Sequence, residues 1–193
     1  MEHDMNYFKS EAASRGLCEE YALDWSKCLG DKEKLFTLCV RQQSIPYLAT
    51  SIVQGWGLSL EYLYNEFADY LNGKYVVKDC EDIQGAKASM YMGKDMDIVL
   101  RDDVMHLCDF KGIAYVPTCK CTNLYLSNNT EVSLFFYDGL NTLDIYVYDT
   151  SKLHIIKMPE NCIIRVYKYG EESSIDNTKT NGLIKIFYKK LKI

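Results

Sequence analysis

Asn129-Thr130-Glu131-Val132-Ser133-Leu134-Phe135-Phe136-Tyr137-Asp138 is followed by Asn141-Thr142-Leu143-Asp144-Ile145-Tyr146-Val147-Tyr148-Asp149, and both look like copies of one unit. Ser151-Lys152-Leu153-His154-Ile155-Ile156-Lys157 and Asn161-Cys162-Ile163-Ile164-Arg165-Val166-Tyr167-Lys168-Tyr169-Gly170 extend the series. Each copy opens with Asn or Ser, which suits a turn, and continues as an alternating strand. The central apolar residues Leu124, Leu134, Ile145, Ile155 and Ile164 are separated by 10, 11, 10 and 9 residues. A single unit cannot bury its inner side alone, so regular repetition predicts stacking into a small parallel β-helix or β-solenoid. A β-sandwich is the alternative, because a meander yields the same spacing. In the solenoid Leu134, Phe136, Ile145 and Val147 point inward. Tyr137, Tyr146, Tyr148, Tyr167 and Tyr169 then form outward ladders that cover a sheet face or meet a partner.

Before this half the period is 3.6 rather than 2, so the fold class is α+β. Leu17, Tyr21, Trp25 and Cys28 make one helical stripe, which Gly30 stops. Asp31 caps the next helix, whose face is Leu35, Leu38 and Cys39. Ser44-Ile45-Pro46 opens another, with Pro46 in its first turn and Leu48 and Ile52 inward. Gly55-Trp56-Gly57 breaks the chain, and Ser59 caps a helix from Leu60 to Leu71 that Asn72-Gly73 ends. Tyr75-Val76-Val77 and Ile98-Val99-Leu100 read as the first strands. The expected division is a helical domain over 1–75 and a solenoid domain over 76–193.

The composition of the 193 residues, 48% apolar and 25% charged with three prolines, excludes a disordered, collagenous or proline-rich chain. No apolar run approaches the roughly 20 residues of a membrane helix, and the acidic Met1-Glu2-His3-Asp4 start shows no export signal, so the expected location is the cytoplasm. In that compartment the eight cysteines read as reduced, mostly buried thiols. The alternatives are a disulfide framework and a metal site, for which Cys119-Lys120-Cys121 is the one close pair. On a strand those two would share a face as small core fillers. No cofactor or metal is expected.

Chemistry has one local candidate, Asp102-Asp103-Val104-Met105-His106-Leu107-Cys108-Asp109. A His106–Cys108 nucleophile pair is conceivable there, but no third group is positioned to orient the base. Gly55-Trp56-Gly57 lacks the third glycine of a dinucleotide fingerprint. The expectation is a protein that is not an enzyme. Charge points to binding instead. Residues 1–82 carry net −6 and residues 83–193 net +1, and Lys179, Lys185, Lys189, Lys190 and Lys192 close the chain with no acid among them. Leu183 to Lys189 alternates as a last edge strand, where lysines guard against aggregation. Beside Tyr167, Lys168 and Tyr188 the same basic strip suits RNA backbone or an acidic protein groove. The partner-binding candidates are Tyr146, Tyr148, Tyr167, Lys168, Lys185, Tyr188, Lys189, Lys190 and Lys192.

Gly16-Leu17-Cys18-Glu19-Glu20-Tyr21 with Trp25, Lys34-Leu35-Phe36, Ile45-Pro46-Tyr47-Leu48, Gly55-Trp56-Gly57-Leu58-Ser59 with Phe67, and Asn72-Gly73-Lys74-Tyr75 are similar to a family of small prophage and mobile-element proteins of Bacteroidetes. The resemblance covers roughly residues 8–76, and the rest resembles the family in pattern only. It implies a β-solenoid second half and brings no catalytic residues. It further implies an inhibitor of host defence, most specifically an anti-CRISPR that binds a type VI RNA-guided RNase or its guide channel. Two other readings stay open. One is a structural or adhesion accessory of a phage particle, and the other is a minor hydrolase using His106.

Overall fold

In the computed structural model, which describes residues 4–17, 19–28, 30–73, 75–79, 88–177 and 180–190, every strand pairing is parallel. The alternating segments become β1 (Val76–Lys78), β2 (Met90–Val99), β3 (Val104–Val116), β4 (Asn123–Ser127) and β5 (Glu131–Phe136). They continue as β6 (Thr142–Val147), β7 (Lys152–Lys157), β8 (Ile163–Tyr169), β9 (Ser174–Asp176) and β10 (Leu183–Lys189). Together they wind a β-solenoid of about five turns. The sandwich alternative is thereby set aside.

One turn is two of the sequence units, not one. Leu124 pairs with Ile145 and Ile145 with Val166, a step of 21 residues, while Leu134 pairs with Ile155 on the opposite wall. The first wall stacks β1, the start of β2 and of β3, then β4, β6, β8 and β10. The second wall stacks the ends of β2 and β3, then β5, β7 and β9. Leu134, Phe136, Ile145 and Val147 all point between the walls and are fully buried, as the alternation predicts. Each contributes about 1.5–3 kcal/mol by leaving water.

A corner column makes the chain turn. Asp79, Gly93, Asp109, Asn128, Asp149 and Gly170 occupy the same corner on successive rungs, and all have positive φ, from 48° to 118°. Only Gly, Asp and Asn tolerate that region readily, so the corner selects these residue types. On the inner side of the same corner, Thr130, Ser151 and Ser173 are buried in register, joined by Lys152 N–H donating to Thr130 O and Ser174 N–H to Ser151 O.

The N-terminal half forms α1 (Met5–Ser14), α2 (Glu19–Ser26), α3 (Lys32–Cys39), α4 (Ile45–Gln54) and α5 (Leu60–Glu66). Asp4, Asp31 and Ser59 cap three of them by accepting from Tyr7, Lys34 and Tyr62 N–H. The last helix is shorter than expected: it ends at Glu66, and a 3-10 turn over Ala68–Tyr70 carries the chain to Asn72. That break lets Phe67 stack on Phe36 at 5.1 Å. Trp25 is buried as expected, whereas Cys18 and Cys80 lie outside the described residues and Tyr21 outside the described side chains. No described helix is long and apolar enough to cross a membrane.

The helices lie against the outer side of the first wall, and α4 meets β3 and β4. Met90, Met92, Cys108, Tyr125 and Tyr148 on that side share a core with Phe8, Trp25, Leu48 and Leu58. The thiols Cys39, Cys108, Cys121 and Cys162 are buried and free. Cys119 departs from expectation. It stands on a turn at φ 55°, exposed, with its N–H donating to Asn141 Oδ1, so it does not share a strand face with Cys121.

Core position and exposure separate two isoleucines of neighbouring half-turns, since Ile145 is fully buried and Ile156 is 45% exposed. In urea unfolding, Ile145→Ala is predicted to lower stability by about 2–5 kcal/mol and Ile156→Ala by under about 1 kcal/mol. Equal losses would contradict the two-walled core.

Candidate partner-binding face

Parallel in-register pairing puts each outward side chain directly over its counterpart one rung on, at the strand spacing of about 4.8 Å. On the first wall this produces one continuous column: Val76, Met90, His106, Tyr125, Tyr146, Tyr167, Phe187. Its last four rings stack face to face, with centroids 4.5, 4.9 and 5.2 Å apart. Each such pair adds about 0.5–1.5 kcal/mol beyond its burial.

The helices cover the column only in part. Val76, Met90, His106 and Tyr125 are buried, Tyr146 and Tyr167 are half-buried, and Phe187 is 38% exposed. Burial, the first cause, and the carboxylate of Asp144 raise the Tyr146 hydroxyl above its ordinary value. The two tyrosine candidates in the column, Tyr146 and Tyr167, therefore sit where the helical cover runs out. Tyr125 and Phe187 complete the ladder, and 21- and 20-residue spacings from Tyr146 and Tyr167 were the sequence signal for them.

Tyr148 is a correction. It is 3% exposed, stacked on Tyr169 at 4.6 Å and packed in the core shared with the helices, so its ring is not on an open surface. Burial raises its hydroxyl well above the ordinary range. Tyr137 stands on the second wall, stacked on Tyr115, and belongs to a separate surface.

The basic candidates divide into two groups. Lys185 follows Asp144 and Arg165, a cation outside the candidate set, in the column beside the rings. Arg165 grips Asp144 with Nε at 2.5 Å and Nη2 at 2.9 Å, and this carboxylate contact raises the guanidinium value. Lys189 reaches back over the Tyr167 ring at 5.9 Å, and Lys185, Lys189 and Lys190 are exposed. Lys168 and Tyr188 instead continue the inward column Leu107, Leu126, Val147. At the last turn Tyr188 is 78% exposed, and the half-buried Lys168 places Nζ 5.8 Å from the Tyr188 ring and 3.4 Å from Glu171 O. Lys192 and Lys179 lie outside the described residues.

The His106–Cys108 pair is sealed beneath the helices. Burial holds the His106 imidazole down at about 3 and pushes the Cys108 thiol up to about 12. His106 Nε2 lies 2.8 Å from Ser127 Oγ, and its Nδ1 has no hydrogen-bond partner among the described residues. A thiol held protonated is a poor nucleophile, and an imidazole of such low basicity, away from water and substrate, is a poor base to activate it. His154 faces outward with Nδ1 3.8 Å from Asp176 Oδ2. A cleft of about 670 Å³ lies between Tyr64 and Asn72 on one side and Lys78, Lys94 and Asp109 on the other. Lys78 is paired with Asp79 there, at 2.5 Å. Among the described residues no group of three His, Cys, Asp or Glu is placed to hold a metal.

Burial of His106 has a pH consequence. The unfolded chain takes the imidazole proton near pH 6.5 and the folded chain near 3, so stability is complete above pH 6.5 and declines as pH falls. His106→Gln is predicted to reduce the stability lost between pH 7 and pH 5 by about 2 kcal/mol, read from urea midpoints at both values. An unchanged pH profile would mean that the imidazole is solvated in the folded state. No family model, curated protein or solved structure matches the chain.

Proposed function

We propose that this protein acts by binding, as a phage- or prophage-encoded inhibitor that occupies a host defence nuclease, most specifically a type VI CRISPR RNA-guided RNase. The observation that carries the reading is the uncovered end of the aromatic column, where Tyr146, Tyr167 and Phe187 stand beside Arg165, Lys185 and Lys189. Flat rings offer contact area with little side-chain entropy to lose, and cations at their rim supply orientation and rate. Interfaces are enriched in aromatic residues and arginine for these reasons.

The helical half, net −6 over residues 1–82, covers the early part of the same wall and supports the same reading. An acidic surface competes with nucleic acid for a basic guide channel. The sealed His106–Cys108 pair takes support away from the hydrolase alternative.

The test is a guided RNA-cleavage assay with a purified type VI effector. Cleavage is predicted to fall in proportion to added protein and to vanish near one equivalent, with a co-eluting complex. Tyr167→Ser combined with Phe187→Ser is predicted to weaken inhibition about tenfold or more, since two interface rings are lost. Undiminished cleavage, with a stable homotrimer in place of any complex, would overturn the inhibitor reading in favour of a particle component.

A further inference from the structure

The two ends of the solenoid are finished differently. At the start, the outer edge of β1 is satisfied from within: Gly73 N–H donates to Val76 O at 3.1 Å, and Lys78 N–H donates to Asn72 Oδ1 at 2.7 Å. Val76 and Val77 are fully buried there. At the other end β10 is paired to β8 over seven residues, Leu183 to Lys189, and to no other described strand. Leu183 N–H donates to Cys162 O at 3.0 Å. Parallel pairing alternates, so the N–H and C=O groups of Ile184, Ile186 and Tyr188 face away from β8. The second-wall edge is β9, only three residues long.

We propose that β10 is a docking edge for an extended, acidic segment of the partner protein, which adds to the first wall as its next strand. This rests on the binding reading above and gives its mode. The chemistry follows from how the solenoid treats charge between rungs. Asp144 is answered by Arg165 one rung on, and Glu131 by Lys152 at 3.6 Å. Lys185 stacks on Arg165, cation on cation, and among the described residues neither it nor Lys190 has an ion-pair partner. Carboxylates opposite Lys185 and Lys189 on the rung that would follow relieve this cation stack. Opposite the half-buried Ile184 and Ile186 that rung must carry apolar side chains, and Phe187 accepts a ring.

A strand meets these needs together, whereas a nucleic-acid backbone leaves the open amides and the isoleucines unmet. A second copy of this chain does not fit. Two β10 strands would bring Lys185, Lys189 and Lys190 of each together, and head-to-tail stacking is blocked by the Asn72–Gly73 cap.

The experiment uses the full chain and a fluorescein-labelled short peptide of alternating valine and glutamate. Its lysine counterpart and an oligouridine serve as comparison probes. The glutamate peptide binds saturably and the other two do not. Tyr188→Pro removes an open-edge N–H, and binding falls about tenfold or more. Tyr188→Ala keeps that N–H and loses only the ring's share, so it binds at least about threefold more tightly than Tyr188→Pro, which separates backbone pairing from loss of the ring. Lys185→Glu with Lys189→Glu transfers the preference to the lysine peptide. Equal binding by the proline and alanine variants, preference for oligouridine, or self-association that the proline variant abolishes would each overturn the proposal. If a nuclease is inhibited equally by the original chain and by Tyr188→Pro, strand addition is refuted while the binding function stands.

Discussion

Parallel pairing in register, unbroken along the first wall from β3 to β10, is the constraint on which the rest of this molecule depends. On that wall it places each outward side chain about 4.8 Å from its counterpart on the neighbouring rung, so each column must tolerate its own repetition. Rings do so by stacking, as Tyr125, Tyr146, Tyr167 and Phe187 show. Charges are relieved where the sign alternates, as Asp144 and Arg165 or Glu131 and Lys152 show, while Lys94 over Lys111 and Arg165 under Lys185 repeat a cation. Corners do so by reusing the few residue types that accept positive φ. The same rule then describes what the last rung lacks, because Lys185 and Phe187 stand in columns with no further member among the described residues.

The helical layer converts this repetitive surface into a directional one. It covers the early members of the aromatic column, where His106 and Tyr125 are buried, and stops short of the late members. The column thus works as core at one end and as exposed surface at the other. Buried neutral groups such as His106 and Cys108 belong to the first role, held there by desolvation. The same transition occurs inside the solenoid, where Leu107, Leu126 and Val147 give way to Lys168 and Tyr188. Both columns change character at the same end of the molecule, beside the lysines.

Much of the fold was legible because its signals are local. Alternation at Leu134–Phe136 and Ile145–Val147 reports burial directly, and Asp31, Pro46 and Ser59 mark helix starts through backbone chemistry confined to one turn. The 10-residue spacing was legible too, but whether it counted turns or half-turns depended on closure between distant walls, which no local pattern records. Tyr148 and Tyr146 have the same parity in sequence and opposite fates, because Tyr148 lies past the end of β6 beside the corner, where the helical layer covers it. Cys119 and Cys121 invited a strand reading, yet a positive φ at Cys119 makes that segment a turn. Of the candidate face, the lysines, Tyr146 and Tyr167 were readable, while Tyr125 and Phe187 required the 21- and 20-residue steps of the register. The corner column of Asp79, Asp109, Asn128 and Asp149 was scattered among ordinary turn residues until the rungs were aligned.

Recognition at the open rung, as proposed, continues the solenoid with a strand of the partner. Amide-resolved hydrogen exchange on the complex with a captured nuclease tests this most directly, because open-edge and paired-edge amides of one strand are read side by side. New protection is expected at Ile184, Ile186 and Tyr188, with Lys185 and Phe187, already bonded to β8, changing much less. Protection confined to the helical layer, with the β10 amides unchanged, would contradict it.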